Sequence, residues 1–267
     1  MSAAAPIVLL TDFGDSDWFV GSMKGVLLGI SPESRVVDLC HQVAPGDIAA
    51  GSFILEAAFD SFPPGTVFCC VIDPGVGTER AVLVALANSQ IVVAPDNGLL
   101  SGILDQHPEA GLYRASNASY FREMISDTFH GRDIFAPLAA HLARGIKASD
   151  CGTPFHQEPI RLPGPPPSFS DGHARGRVVY VDRFGNLITN LQLAALDHAF
   201  PGRATSHWKL RVKNVTLIGL SKSYGHARHG ELLFYRGSTD RIEIAENMGN
   251  AALTLAVNTG DSVDLFV

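Results

Sequence analysis

The stretch Ile7-Val-Leu-Leu-Thr-Asp-Phe-Gly14 runs four apolar residues into a turn that carries an aspartate and a glycine. The same arrangement recurs at Val67-Phe-Cys-Cys-Val-Ile-Asp-Pro-Gly75 and at Ile91-Val-Val-Ala-Pro-Asp-Asn-Gly98. Short continuous apolar runs bounded by turn residues read as buried parallel strands. Ligands of open α/β sheets bind outside the carboxyl ends of such strands. One sheet edge is therefore expected to carry several carboxylates on flexible turns, which is how a polar small-molecule site is built. Aspartate and glycine also make good turns with no further role; the threefold recurrence favours a site.

Outward from these runs, strand and helix signals alternate to about residue 160. Phe19, Val20, Met23, Val26, Leu27 and Ile30 recur at helical spacing. Val36 to Leu39 reads as a short strand, Ile48 to Phe59 as a helix behind Asp47, Ala81 to Leu86 as a strand, and Ile134 to Leu142 as a helix broken early by Pro137. Alternation of this kind predicts a mostly parallel sheet flanked by helices. Pro159, Pro163 and Pro165-Pro166-Pro167 then mark a stiff connector. Beyond it come short β-like runs at Arg177–Val181, Leu210–Val215, Leu232–Tyr235, Arg241–Ile244, Leu253–Val257 and Val263–Phe266. The expected fold class is α/β, with a C-terminal antiparallel β-barrel-like domain. The expected boundaries are 1–160 for the α/β domain, 161–172 for the linker and 173–267 for the β domain.

The 267 residues are 46% hydrophobic and 18% charged, ordinary for a globular protein with a real core. A net charge of −7 without a basic cluster argues against nucleic-acid binding. No apolar run of about 18 residues is present, so no membrane span is expected. Met1-Ser-Ala-Ala-Ala-Pro6 lacks the charged and apolar regions of a secretory signal. Cys40, Cys69, Cys70 and Cys151 form no C-x-x-C pair and read as reduced structural thiols, with a cytoplasmic setting expected.

Four segments can carry chemistry. Asp73-Pro-Gly-Val-Gly-Thr-Glu-Arg80 fits neither a Walker loop nor a dinucleotide fingerprint. Asp73 and Arg80 can meet across that turn, in a site or in an ordinary surface ion pair. Asp127-Thr-Phe-His-Gly-Arg-Asp133 places His130 before an expected helix start, whose dipole disfavours the charged imidazole and leaves it able to accept a proton. A metal reading would join His130 and Asp133 with Asp12 or Asp73, but no H-x-x-x-H or H-E-x-x-H occurs and the ten histidines are scattered, so a metal-free site is favoured. Asp182-Arg-Phe-Gly-Asn-Leu-Ile-Thr-Asn190 offers an acid for an ammonium and amides for a base edge. Gly237 to Ala252 holds a strand between polar turns. By pattern alone the last two segments are hairpin turns.

Together these stretches resemble the S-adenosyl-L-methionine hydroxide adenosyltransferases, relatives of fluorinase and of the adenosyl-chloride synthase. The matching blocks are TDFGDSDWFVGSMKG from Thr11, VVDLCHQVAPGDIAAG from Val36, VIDPGVGTER from Val71, APDNGLL from Ala94, TFHGRDIFAPLAAHLA from Thr128, DRFGNLITN from Asp182 and IAENMGNAA from Ile244. The resemblance spans essentially the whole chain. It implies a homotrimer with the substrate between the N-domain of one subunit and the C-domain of its neighbour. It implies hydrolysis of S-adenosyl-L-methionine to adenosine and L-methionine by water or hydroxide, with no cofactor. The family's hydrolytic aspartate, arginine and histidine fall on Asp73, Arg80 and His130. By the same resemblance Asp12 accepts the ribose hydroxyls and Asp17 and Asp182 surround the methionine ammonium. Ser238 meets the carboxylate, and Asn186 with Glu246, Asn247 and Met248 reads the adenine.

Two departures bear on this. Gly131 stands where the fluorinase pattern has a serine, and is what the chlorinase-like pattern shows. Thr239 stands where the fluorinase pattern has an arginine. The alternatives are a halide-dependent adenosyl transferase on the same scaffold, and a non-catalytic adenosine or S-adenosylmethionine binder.

Overall fold

The computed structural model describes residues 4–267; Met1–Ala3, and with them half of the N-terminal stretch read above, lie outside the described residues. The chain divides into two compact units, one ending at Pro163 and one beginning at Gly164.

The first unit contains β1 (Ile7–Thr11), α1 (Phe19–Ile30), β2 (Val36–Cys40), α2 (Ile48–Phe59), β3 (Val67–Val71), β4 (Val82–Ala87), β5 (Gln90–Pro95), α3 (Ser101–Gln106), β6 (Gly111–Ala115), α4 (Ala136–Ala143), α5 (Ala148–Cys151) and β7 (Gly152–Pro154). Its sheet runs β2-β1-β3-β5-β4-β6-β7. β2, β1, β3 and β5 pair in parallel. β4, β6 and β7 add antiparallel neighbours at the other side.

Strand alternation assigns each side chain to one of two cores. Ile7, Leu9, Cys69 and Val93 pack with Met23 and Leu27 of α1 and Leu138 of α4. Val8, Leu10, Cys70 and Val92 pack with Leu55 and Phe59 of α2 and Ile103 of α3. Cys69 and Cys70 thus face opposite sides of the sheet, and all four cysteines are free. Burial pushes the Cys69 thiol up to about 12, so it is inert.

α2 begins where Asp47 accepts a hydrogen bond from Ala50 N at 2.9 Å. Gly51 does not break it. A side chain there would collide with Ile72, so glycine permits close approach of helix and strand. The helix expected at Ile134–Leu142 starts differently. Gly131–Phe135 forms one π-helical turn that continues into α4, and Pro137 sits in the first turn of α4. The amide of Ala136 is still bonded to Gly131 O in the wider π turn, and the proline, which has no amide hydrogen, falls at the seam where that turn passes into α4.

The second unit contains β8 (Ser168–Ser170), β9 (His173–Val181), β10 (Leu187–Gln192), α6 (Leu193–Ala199), β11 (Lys209–Val212), β12 (Val215–Ile218), β13 (Leu220–Ser221), β14 (Leu232–Arg236), β15 (Arg241–Glu246), α7 (Ala251–Leu255) and β16 (Ser262–Phe266). The order β12-β11-β16-β9-β10-β15-β14-β13 is antiparallel throughout except for the parallel pair β13/β14, and the sheet is nearly closed. Trp208, Leu210, Phe234, Ile244 and Leu265 are in its core.

Three details differ from expectation. Leu253–Val257 is not a strand: its first residues belong to α7, where Asn250 caps Leu253 N at 2.9 Å and Ala256 ends the helix at φ 50°. Leu210–Val215 is two strands, because Lys213 at φ 48° turns the chain back. Of the stretch 161–172, Leu162 N binds Ser101 Oγ in the first unit at 2.8 Å, whereas Ser168–Ser170 pairs with β9 in the second.

Candidate functional site

Register sets the site's position. Thr11 of β1 lies beside Val71 of β3, and Cys69 of β3 beside Val93 of β5. The three strands therefore end level, and Asp12, Asp73 and Asp96 leave from the same carboxyl edge.

At that edge Arg80 folds back onto Asp73. Its Nε donates to Oδ1 at 2.8 Å and to Oδ2 at 2.9 Å, and Nη2 also donates to Oδ2. Their side chains are only 4% and 10% exposed, so this is a buried pair and not a surface one. Nη2 lies 2.9 Å from Nδ1 of His130. A guanidinium only donates, so Nδ1 must accept, and the neutral imidazole carries its hydrogen on Nε2. Burial and the Arg80 charge hold His130 below the usual imidazole value of 6.5, against the pull of Asp73, Asp127 and Asp133.

Two glycines and an aromatic cluster hold these loops together. Gly77 has φ +79°, and a Cβ there would stand 2.6 Å from the Asp127 carbonyl oxygen. A Cβ on Gly131 would meet Phe13 at 3.2 Å and Met23 Sδ at 3.3 Å. Phe13, Phe19 and Phe129 pack ring against ring at 5.1 to 6.0 Å, tying the Asp12 turn to the His130 turn. Asp12 is half-buried and accepts Gly46 N at 2.7 Å through Oδ2. Asp17 is exposed.

The metal alternative finds its ligand already used. Asp133 is buried, with Arg132 Nε at 2.7 Å, Arg122 Nη1 at 3.1 Å and Ser126 N at 2.9 Å on its oxygens. Among the described residues, no group of three or more histidine, cysteine or acidic side chains is arranged to hold a metal ion.

In the second unit, Asp182 organises its own turn. Oδ1 accepts from Phe184 N and Asn186 N, both at 2.9 Å, and Oδ2 from Asn186 Nδ2 at 2.8 Å. Asn186 Nδ2 also donates to Tyr224 Oη at 3.1 Å. Tyr224 and Tyr235 share a hydroxyl–hydroxyl hydrogen bond, and Tyr235 donates to Glu243 Oε2 at 2.7 Å. Sequence reasoning passed over Tyr224, Tyr235 and Glu243. The available signal was Glu243 itself, an acid between Ile242 and Ile244 in an apolar strand, with Tyr235 directly across the ladder. Ser238 is exposed in the β14–β15 turn, Glu246 and Asn247 are half-buried, and Met248 is exposed at φ 59°.

An α/β unit with a carboxylate–guanidinium–imidazole cluster at its parallel-strand edge, on a chain that also carries a nearly closed antiparallel sheet, defines a two-unit protein with a polar small-molecule site. Residues 7–152 match the SAM hydroxide adenosyltransferase N-terminal domain and residues 176–264 the corresponding C-terminal domain, so the chain belongs to the SAM hydroxide adenosyltransferase family. It is 38% identical to the (R)-S-adenosyl-L-methionine hydrolase of Salinispora tropica, over 96% of this chain and 95% of that protein. It is 35% identical to the protein of the same name from Thermus thermophilus, covering 97% and 99%. A fluorinase of Nocardia brasiliensis is 28% identical, covering 98% and 96%. The crystal structure of an uncharacterized conserved protein from Thermotoga maritima superposes with a TM-score of 0.91 at 34% identity, covering 98% of this chain and all of that one.

Proposed function

We propose that this protein hydrolyses S-adenosyl-L-methionine to adenosine and L-methionine by attack of water on the ribose 5′-carbon. The family and the hydrolase relatives support the substrate. The single observation that carries the chemistry is that Arg80 holds Asp73 and His130 at once.

The sulfonium leaves as a neutral thioether, so no acid or Lewis acid is required at the leaving group, and the proposal includes no metal or other cofactor. The demand falls on the nucleophile, which must be held in line and lose a proton. Counting hydrogens assigns the roles. Arg80 spends Nε–H and both Nη2 hydrogens on Asp73 and His130, leaving the two hydrogens of Nη1 for the attacking oxygen. His130 accepts at Nδ1 and offers Nε2–H, so protonating it would break its bond to Arg80. Asp73 is the cluster's anion and keeps acceptor capacity for a hydrogen of the water. In this reading Asp73 orients the water and takes its proton, Arg80 holds the developing hydroxide, and His130 fixes the guanidinium. The oxygen–C5′ bond forms as the C5′–sulfur bond breaks, and the sulfur keeps the electron pair.

The substrate-binding roles follow the resemblance: Asp12 for the ribose hydroxyls, Asp17 and Asp182 for the ammonium, Ser238 for the carboxylate, and Asn186 with Glu246, Asn247 and Met248 for the adenine. The proposal includes a cytoplasmic homotrimer whose sites form between subunits. Trp18, beside Asp17, is 67% exposed; Phe184 and Met248, beside the adenine segments, are 74% and 80% exposed. Large exposed apolar side chains next to polar site residues fit surfaces that a partner covers. No described helix is long and apolar enough to cross a membrane.

The test is incubation of pure protein with each sulfonium epimer of S-adenosylmethionine, with and without chloride and with and without a chelator. Adenosine as the nucleoside from either epimer, with or without chloride and chelator, supports the reading. 5′-Chloro-5′-deoxyadenosine as the main product favours the halide-using alternative. Binding without turnover favours the non-catalytic one.

A further inference from the structure

The chain Asn186–Tyr224–Tyr235–Glu243 in the second unit has a fixed direction. Tyr235 gives its one hydroxyl hydrogen to Glu243 Oε2. The Tyr224–Tyr235 bond must then use the Tyr224 hydrogen. Tyr224 is left only as an acceptor toward Asn186, which donates to it from Nδ2. The other Nδ2 hydrogen goes to the Asp182 carboxylate, which also only accepts. A reversed amide would place its carbonyl oxygen against two acceptors, so the orientation follows from chemistry. Burial, Glu243 and Tyr224 raise the Tyr235 phenol above its usual range, so it stays a donor. Glu243 and Asn186 are both more than nine-tenths buried.

We infer that Glu243, Tyr235 and Tyr224 are positioning residues that lock the Asn186 amide with Oδ1 as its only free polar group, making the base site selective for a 6-aminopurine over a 6-oxopurine. The inference rests on the adenine role proposed for Asn186. With both Nδ2 hydrogens spent, Asn186 can meet a purine edge only as an acceptor. The 6-amino group of adenine supplies a donor there, whereas the 6-oxo group of hypoxanthine presents a second acceptor. A buried acceptor facing an acceptor is penalised, because neither regains what it lost on leaving water. Removing the Tyr224 acceptor leaves Nδ2 bonded to Asp182 but frees its second hydrogen, so the amide can also act as a donor and the discrimination relaxes.

The experiment compares S-adenosylmethionine with its deaminated analogue S-inosylmethionine in the wild type, Tyr224→Phe and Tyr235→Phe. Tyr224 is 40% exposed, so its replacement leaves the fold intact even if the buried Tyr235→Phe does not. Losing one hydrogen bond from the chain should raise KM for S-adenosylmethionine by roughly tenfold, leave kcat within about threefold, and lower the adenosyl-to-inosyl ratio of kcat/KM by roughly tenfold or more. An unchanged ratio in Tyr224→Phe, with wild-type hydrolysis intact, overturns the positioning role alone. A fall in kcat with KM and the ratio unchanged does the same. A wild type that neither binds nor hydrolyses S-adenosylmethionine overturns the function on which the inference rests.

Discussion

Arg80 Nη2 lies 2.9 Å from His130 Nδ1 while Nε and Nη2 of the same guanidinium hold Asp73, so one side chain joins the turn after β3 to the turn before α4. Residues joined in this way act as a unit. Asp73→Ala and His130→Ala should each lower kcat by about 10²–10⁴-fold with smaller changes in KM. The double variant should be little worse than the more severe single one. Arg80→Lys should also be severe, because a point ammonium cannot hold a carboxylate bidentately and an imidazole together. Steady-state kinetics on the four variants checks this; additive losses would show independent roles.

His130 supplies a pH dependence with a definite sign. Burial and Arg80 depress its pKa below 6.5, so it is neutral and accepting at neutral pH. Lowering the pH protonates Nδ1, ejects the Arg80 hydrogen bond and removes activity. kcat/KM should be flat near neutrality and fall on the acid side with a midpoint below 6.5. Titration of the His130 ring protons by NMR should give the same midpoint. A ring that titrates above 6.5 would contradict the buried, arginine-bonded geometry.

Gly77 is where the Asp73 turn touches the Asp127 carbonyl. Gly77→Ala forces a side chain into a left-handed backbone and against that oxygen. It should cost about 1–3 kcal/mol in denaturant unfolding and reduce kcat by displacing Asp73 from His130. Unchanged stability and turnover would mean that the two turns are not held by this contact.

How far the sequence discloses this arrangement depends on the range of the interaction. The strands ending at Thr11, Val71 and Pro95 and the helix from Phe19 were legible because local apolar runs and periodicity encode them. Pairing of Asp73 with Arg80 could be anticipated across one turn, but its burial could not. His130 gains its partner from a turn fifty positions away, which no spacing rule reports. Leu253–Val257 misled because a five-residue helix is too short to show periodicity, and its Asn250 cap also reads as a turn. The buried chain from Asn186 to Glu243 was invisible because its members come from four separate segments.

The proposed sites between subunits predict complementation. Asp12→Ala should mainly raise KM by unpairing the ribose hydroxyls, and Asn186→Ala should weaken adenine binding. Unfolding and refolding the two together should restore about a quarter of the sites by random assortment in a closed ring. Activity of the mixture at the simple average of the two parents, in demonstrably mixed trimers, would place each site within one chain.

The most direct test of the central claim is the origin of the oxygen in the product. With S-adenosylmethionine in heavy-oxygen water, the 5′-hydroxyl of adenosine should carry the solvent label, and methionine should appear in equal amount without it. Unlabelled adenosine, or a 5′-halogenated nucleoside as main product, would contradict attack by water at the 5′-carbon.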